Sequence, residues 1–213
     1  EMLERDKQEA LDRYLAGQTN EEEFLEESQW NERWGYSFHL YRGIFEVARG
    51  SNLKGLALNA PRELVRAVGR TGKDNLPAHL QSECPPLDSG TDAHRAYVQK
   101  FFHGHGHHGS SGGDFDKFYN AQLVWDETMA LGIATALETL SENERIVVFA
   151  GRGHVEYGHG IPSRIPGGLS NSSIVIPVAV GKLSSHRKKL GIVGYPDKVG
   201  DMLWEADIST RTP

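Results

Sequence analysis

The chain has 213 residues, 38% of them hydrophobic, a net charge of −6 and one cysteine. That length is enough for one domain with a sizeable core. The composition excludes a disulfide framework, a cysteine-cluster zinc site, general affinity for nucleic acid or anionic lipid, and any apolar run of the ~18 residues a membrane span needs. The chain opens on Glu1, and Glu1–Leu3 reads like the end of a strand already under way, so the sequence is taken as processed or excised.

The first predicted element is a helix over residues 6–16, with Ala10, Leu11, Tyr14 and Leu15 on one side. Thr19 or Asn20 can cap a second helix, whose first turn Glu21, Glu22 and Glu23 complements the positive end of the helix dipole. Trp34, Phe38, Tyr41, Phe45 and Ala48 repeat with helical spacing and predict one amphipathic helix, stopped by Gly50, whose aromatics pack in the core. The stretch "LKGLALNAPRELVRAVG" then passes from a short apolar strand into a helix. Asn59 stands where an N-cap belongs and Pro61 in the first turn, which places Asn59 and Arg62 at the mouth of a strand-to-helix switch.

Residues 71–113 carry loop signals and a short helix near Ala93–Phe102, followed by "HGHGHHGSSGGD". Its histidines, His103, His105, His107 and His108, lie among glycine and serine, and ordering them around a metal costs entropy at each binding event. The tract at about 103–113 is therefore read as a flexible insert within a single domain of residues 1–213. A long helix follows, in which Phe118, Trp125 and Met129 form one row and Tyr119, Gln122 and Asp126 an adjacent polar row. Two roles stay open for that polar row: bonding to neighbouring loops, or lining a ligand site.

"RIVVFAG" and "SSIVIPVAVG" read as buried strands of a parallel sheet, with one or two more short strands in "KKLGIVGYPDKVGDMLWEAD". Strands alternating with helices predict an α/β fold, a mostly parallel sheet flanked by helices. Ligands in such sheets sit beyond the carboxyl ends of the strands. There the sequence places "GRGHVEYGHGIP", with Arg152, His154, Glu156, Tyr157 and His159 spaced by glycines. Neither a P-loop nor a Gly-x-Ser-x-Gly nucleophile elbow is present, which removes the nucleotide-cradle and serine-esterase readings.

"FYNAQLVWDETMA" followed by "IVVFAGRGHVEYGHGIPSRI" resembles the ChaN-like haem-binding uptake family of the Tiki, TraB and erythromycin-esterase-like superfamily. "EMLERDKQEALDRYLAG" and "LALNAPRELVRAVGR" are similar to its earlier segments, so the likeness spans nearly the whole chain. The resemblance implies an α/β fold and a haem or related tetrapyrrole as ligand. It also implies a tyrosine on the iron, a homodimer pairing haem faces, and membrane association through a segment outside this chain. Relatives as bacterial lipoproteins and plastid proteins imply an extracytoplasmic or plastid setting facing a membrane.

A tyrosinate suits ferric haem as a hard anionic oxygen ligand. Tyr157 and then Tyr119 are the candidates for it, and His154 is the second metal-binding candidate. Arg62 and Arg152 would meet the propionates, and Asn59, Gln122 and Asp126 complete the expected pocket. In relatives the opening strand and its Gly-Glu-x-His-type segment precede the position of Glu1, so the sheet is expected to lack that strand here. Two other readings stand beside haem binding: a metal-dependent hydrolase with Glu1 and His154 near the metal, and a non-catalytic interaction domain that keeps the fold.

Overall fold

The computed structural model describes residues 1–87, 90–104, 112–167, 173–179 and 202–206. Helices dominate them. A short 3-10 turn, Arg5–Lys7, leads into α1 (Gln8–Leu15), followed by α2 (Glu21–Glu27), α3 (Trp30–Arg33) and α4 (Arg42–Gly50). Then come α5 (Arg62–Thr71), α6 (Ala78–Gln81), α7 (Asp92–Gly104) and the long α8 (Gly112–Leu137).

Local chemistry explains the N-terminal helices. Asn20 accepts from the Glu23 amide while the Glu23 carboxylate accepts from the Asn20 amide, a complete capping box at the start of α2. The aromatic stripe does pack in the core, but it does not form one helix. Gly35 takes a left-handed φ of 79°, which ends α3 and lets Phe38 restart the chain as a 3-10 turn before α4. The break folds the rings onto one another instead of spreading them along a single helix. Tyr14 stacks on Phe24 with centroids 4.4 Å apart, and Trp30 meets Phe38 edge to face at 5.1 Å.

Two further apolar clusters lie along α8. Leu64, Val68, Leu80, Val98, Phe102 and Val124 bring α5, α6 and α7 against one side of it. Leu58, Met129, Ile133 and Ile161 bring the extended segments and a late loop against another.

The entry to α5 differs from the sequence expectation. Asn59 turns its side chain to the amide of Ala60 at 2.9 Å, and Pro61 takes the N-cap position. The cap itself comes from across the fold: the buried Glu4 carboxylate accepts from the Arg62 amide at 2.9 Å and also pairs with Arg33. A remote carboxylate thus satisfies an orphan helix donor that sequence spacing assigned to a local residue.

The expected mostly parallel sheet is not formed by the described residues, and the α/β assignment is corrected accordingly. Residues 53–60 and 145–151 carry no strand ladder. The N-terminal segment meets the first of them at a single parallel bridge, Glu4 to Asn59, and the second where the Glu1 amino group donates to the Phe149 carbonyl at 2.9 Å. Val147 and Phe149, expected inside, are 75% and 46% exposed, whereas Ile146, Val148 and Ala150 pack against the α8 cluster. The reason is physical. An alternating apolar run secures burial of one face, but a sheet also needs backbone partners along the whole strand, which side-chain hydropathy does not specify. The ladder present is short and lies late in the chain: β1 (Val175–Ala179) pairs in parallel with β2 (Met202–Ala206).

Most of the expected histidine-rich insert, residues 105–111, lies outside the described residues. No helix among those described is long and apolar enough to cross a membrane.

The aromatic cluster predicts a clear ranking of stabilities. Phe24 is fully buried against Tyr14, so Phe24→Ala is expected to cost about 3–5 kcal/mol. Asn20→Ala removes only the cap and is expected to cost about 1 kcal/mol. Urea unfolding of the two variants measures both, and a Phe24→Ala cost no larger than that of Asn20→Ala would mean the cluster is loosely packed.

Candidate functional site

The polar row of α8 is where the chain concentrates its buried chemistry. Tyr119, Gln122 and Asp126 follow at three and four residues, so one helix face carries all three inward beside the apolar row. Asp126 is fully buried, and a lone carboxylate there would be costly. Two imidazoles offset that cost. His154 Nδ1 lies 2.6 Å from Asp126 Oδ1, and His94 Nε2 lies 3.3 Å from Asp126 Oδ2. The amide nitrogen of Gln122 stands 3.4 and 3.5 Å from the two carboxylate oxygens and 3.0 Å from His154 Nδ1.

The electrostatics follow from these contacts. Burial pushes the Asp126 carboxyl upward, but the hydrogen bond and charge of His154, with the His94 ring close by, hold it below the ordinary carboxylate value. Burial pushes His154 downward, and the hydrogen bond and charge of Asp126, with Glu1 beyond, raise it above the ordinary imidazole value. On the far side of His154, Nε2 stands 3.6 Å from Glu1 Oε1, and the Trp125 ring meets the imidazole edge to face at 6.1 Å.

His154 arrives on a loop of three successive 3-10 turns, Arg152–His154, Glu156–Gly158 and Ile161–Ser163. Glycine is required at position 160 because the chain doubles back on itself. A Cβ there would overlap the His154 carbonyl oxygen and stand 2.7 Å from its carbon. Tyr157 lies at the crest, in a left-handed conformation (φ 57°) that non-glycine residues seldom adopt. Its ring stacks on His159 (centroids 5.8 Å apart) and meets Tyr97 edge to face at 5.4 Å. Beneath it, the buried Glu156 accepts from Tyr97 Oη at 2.6 Å and from Arg152 Nε at 2.8 Å. Burial first, and then the bond to Glu156, push the Tyr97 phenol far up.

The structure thus brings His154, Gln122 and Asp126 into direct contact. Tyr119 joins through His94, whose Nδ1 lies 3.2 Å from Tyr119 Oη. Burial pushes the Tyr119 phenol up as well. Tyr157 and Arg152 stand on the adjoining loop, with Arg152 paired to Glu156. Asn59 and Arg62 are drawn elsewhere: the Arg62 guanidinium donates to the Glu32 carbonyl at 2.9 Å, and the Asn59 backbone bonds to the N-terminal segment.

Three contributors escaped the sequence reading: His94, Arg164 and Tyr97. His94 and Tyr97 stand at i and i+3 of α7, on the face that also carries Val98, so their signal was a histidine among apolar helix positions. The buried Arg164 side chain donates to Glu127 Oε1 at 2.7 Å and to the carbonyls of His159 and Gly160 at 2.5 and 2.6 Å. Its sequence setting, "PSRIPGG", gave no such hint.

Among the described residues no group of three or more His, Cys, Asp or Glu side chains is arranged to hold a metal ion. The chain thus places a buried histidine–aspartate–histidine array beside a glycine-rich loop that carries Tyr157. Residues 1–165 match the family described as haem-binding uptake, Tiki superfamily, ChaN, and the chain belongs to that family. It matches no curated protein and no solved structure.

Two outcomes follow from this geometry. Gly160→Ala is expected to lower the melting temperature and loosen the loop, whereas Gly153→Ala, with open space around it, should change little. A melting curve for each variant checks the contrast. The ion pair also has a pH window. Asp126, with its folded value depressed, contributes stability above the ordinary carboxylate range of about 3.9 and loses it as pH falls through the depressed value. His154, with its folded value raised, contributes fully below about 6.5 and loses it as pH rises through the raised value. The melting-temperature gap between the unaltered chain and His154→Gln should therefore be widest near about pH 5–6 and close on the alkaline side. A gap that grows above about pH 8 would show that the fold prefers the neutral ring.

Proposed function

We propose that this chain binds haem or a closely related tetrapyrrole at the loop of residues 152–160, with the Tyr157 oxygen as the iron ligand. The observation that carries the reading is membership, over residues 1–165, of a family described as haem-binding. The donor set fits the group. Tyr157 supplies a half-buried phenol whose anion is a hard ligand for ferric iron, and His154 offers an imidazole beside it on the same loop. Flat aromatic surfaces lie beside these donors, Tyr97 and His159 against the Tyr157 ring and Trp125 against His154. When bound, the iron contributes its Lewis acidity, and the chain's own residues hold and orient it.

Tyr157 is favoured over Tyr119 by burial. Tyr119 is enclosed in the core, bonded to His94 and covered by the Arg95 guanidinium, so its oxygen serves the interior. Tyr157 lies at the crest of an irregular loop, where an unusual backbone angle is a common mark of a functional residue. Arg152 is the nearer partner for a propionate, exchanging or sharing its bond to Glu156. The pairing of two copies over the haem, implied by the resemblance, belongs to this proposal and is read by sedimentation in the presence of haemin.

The hydrolase reading has one observation of its own, the approach of Glu1 to His154 at 3.6 Å. It lacks a third ligand among the described residues.

Titration with ferric haemin tests the proposal. Tyr157→Phe retains the ring and its packing but removes the oxygen. Weaker binding and loss of the tyrosinate charge-transfer band are expected, with the melting temperature nearly unchanged. Tyr119→Phe should keep the spectrum. An unaltered spectrum in Tyr157→Phe with loss in Tyr119→Phe would move the ligand to α8, and no binding by the unaltered chain would end the haem reading.

A further inference from the structure

His94 is fully buried and has no place in the haem reading, yet it stands between two groups that do. Arg164 Nη2 donates to His94 Nδ1 at 3.2 Å. A guanidinium can only donate, so Nδ1 must present a lone pair. The ring is then neutral with its proton on Nε2, and that buried N–H has one anion in reach, Asp126 Oδ2 at 3.3 Å, at an angle too oblique for a well-aligned bond. On the opposite oxygen of the same carboxylate, the 2.6 Å contact assigns a proton to His154 Nδ1, because an ionised carboxylate only accepts and the Gln122 amide nitrogen stands farther from that atom, at 3.0 Å.

Hydrogen bonds and the oblique 3.3 Å approach of His94 Nε2 to Asp126 together close a ring. Asp126 holds His154 at the front of the Tyr157 loop. Arg164 grips the carbonyls of His159 and Gly160 at its rear, and His94 joins Arg164 back to Asp126. Glu127, the next residue of α8, accepts from Arg164 Nε and fixes the guanidinium plane.

We propose that His94 is a positioning residue of the site: as the neutral Nε2–H form it links Arg164 to Asp126, so that both ends of the Tyr157 loop rest on one buried carboxylate and His154 is held as its Nδ1–H form. The His154 Nε2 lone pair is thereby turned away from Asp126, on the side of the Trp125 ring, with Glu1 Oε1 3.6 Å off. Only the purpose of that placement, presenting Tyr157 and His154 to a tetrapyrrole, rests on the haem reading.

The first measurement reads the unaltered chain. In the ligand-free full chain labelled with 15N-histidine, at a pH above the His154 titration, ring-nitrogen shifts distinguish bare from protonated nitrogens, and His94→Gln and His154→Gln difference spectra identify the two rings. His94 is expected with a bare Nδ1 and His154 with a bare Nε2; the reverse form at either ring overturns the proposal. The second measurement compares His94→Leu with His94→Gln, whose amide can accept from Arg164 and donate to Asp126 together. His94→Leu should mix the His154 forms and speed amide exchange of residues 155–160 by roughly tenfold or more, while His94→Gln stays near the unaltered chain. Equal exchange in all three, or loss in His94→Gln as large as in His94→Leu, would show a merely space-filling histidine. These shifts are read without haemin, so a failed haemin titration leaves the positioning role standing, and a wrong ring form leaves the haem reading standing.

Discussion

The Asp126 carboxylate is the constraint around which the rest of the site is arranged. A carboxylate removed from water costs several kcal/mol unless it is paired and hydrogen-bonded, and this one has no exposed surface. Its pairing therefore cannot be optional. One histidine must come from α7 and another from the loop after Ala150, which fixes how α7, α8 and that loop sit relative to one another. Removing His154 would leave a buried charge uncompensated, a larger penalty than the loss of an ordinary contact.

A second buried carboxylate performs a parallel task at the other end of the fold. Glu4 pairs with Arg33 and accepts from the first amide of α5, so it ties the N-terminal aromatic cluster to the helix that packs on α8. The apolar clusters supply non-directional attraction between these parts, and the two carboxylates supply direction. That division suits a loop rich in glycine, which has little apolar surface with which to dock. The Tyr157 loop is instead held by Arg164, His154 and Glu156 through hydrogen bonds and ion pairs.

For a flat ligand this arrangement has a clear logic. A tyrosine at the crest of an irregular loop can meet a metal centre without disturbing the helices below, provided that the loop is anchored on both sides. The anchors are buried, whereas the tyrosine is half-exposed. The family to which the chain belongs is described as haem-binding.

Much of the chain was legible without the structure. Helical patterning and capping signals located α1, α2, α5, α7 and α8, and the row Tyr119, Gln122, Asp126 marked the face that meets His154. These features are local: a period of 3.6 residues or a capping box is determined by residues a few places apart. The mostly parallel sheet was misread because apolar alternation states which side chains are buried but not which backbone lies alongside; residues 145–151 bury one face and leave Val147 and Phe149 in solvent. His94, Arg164 and the Glu4 cap were invisible for a related reason. Their partners stand 32, 37 and 58 positions away in the sequence, and no local spacing rule reaches so far. The sequence by itself determined five of the helices, the aromatic core residues and the chemistry available to the loop. Only the tertiary structure decided which carboxylate each cation would meet, because the cost of burying a charge is settled by whatever group the fold brings beside it.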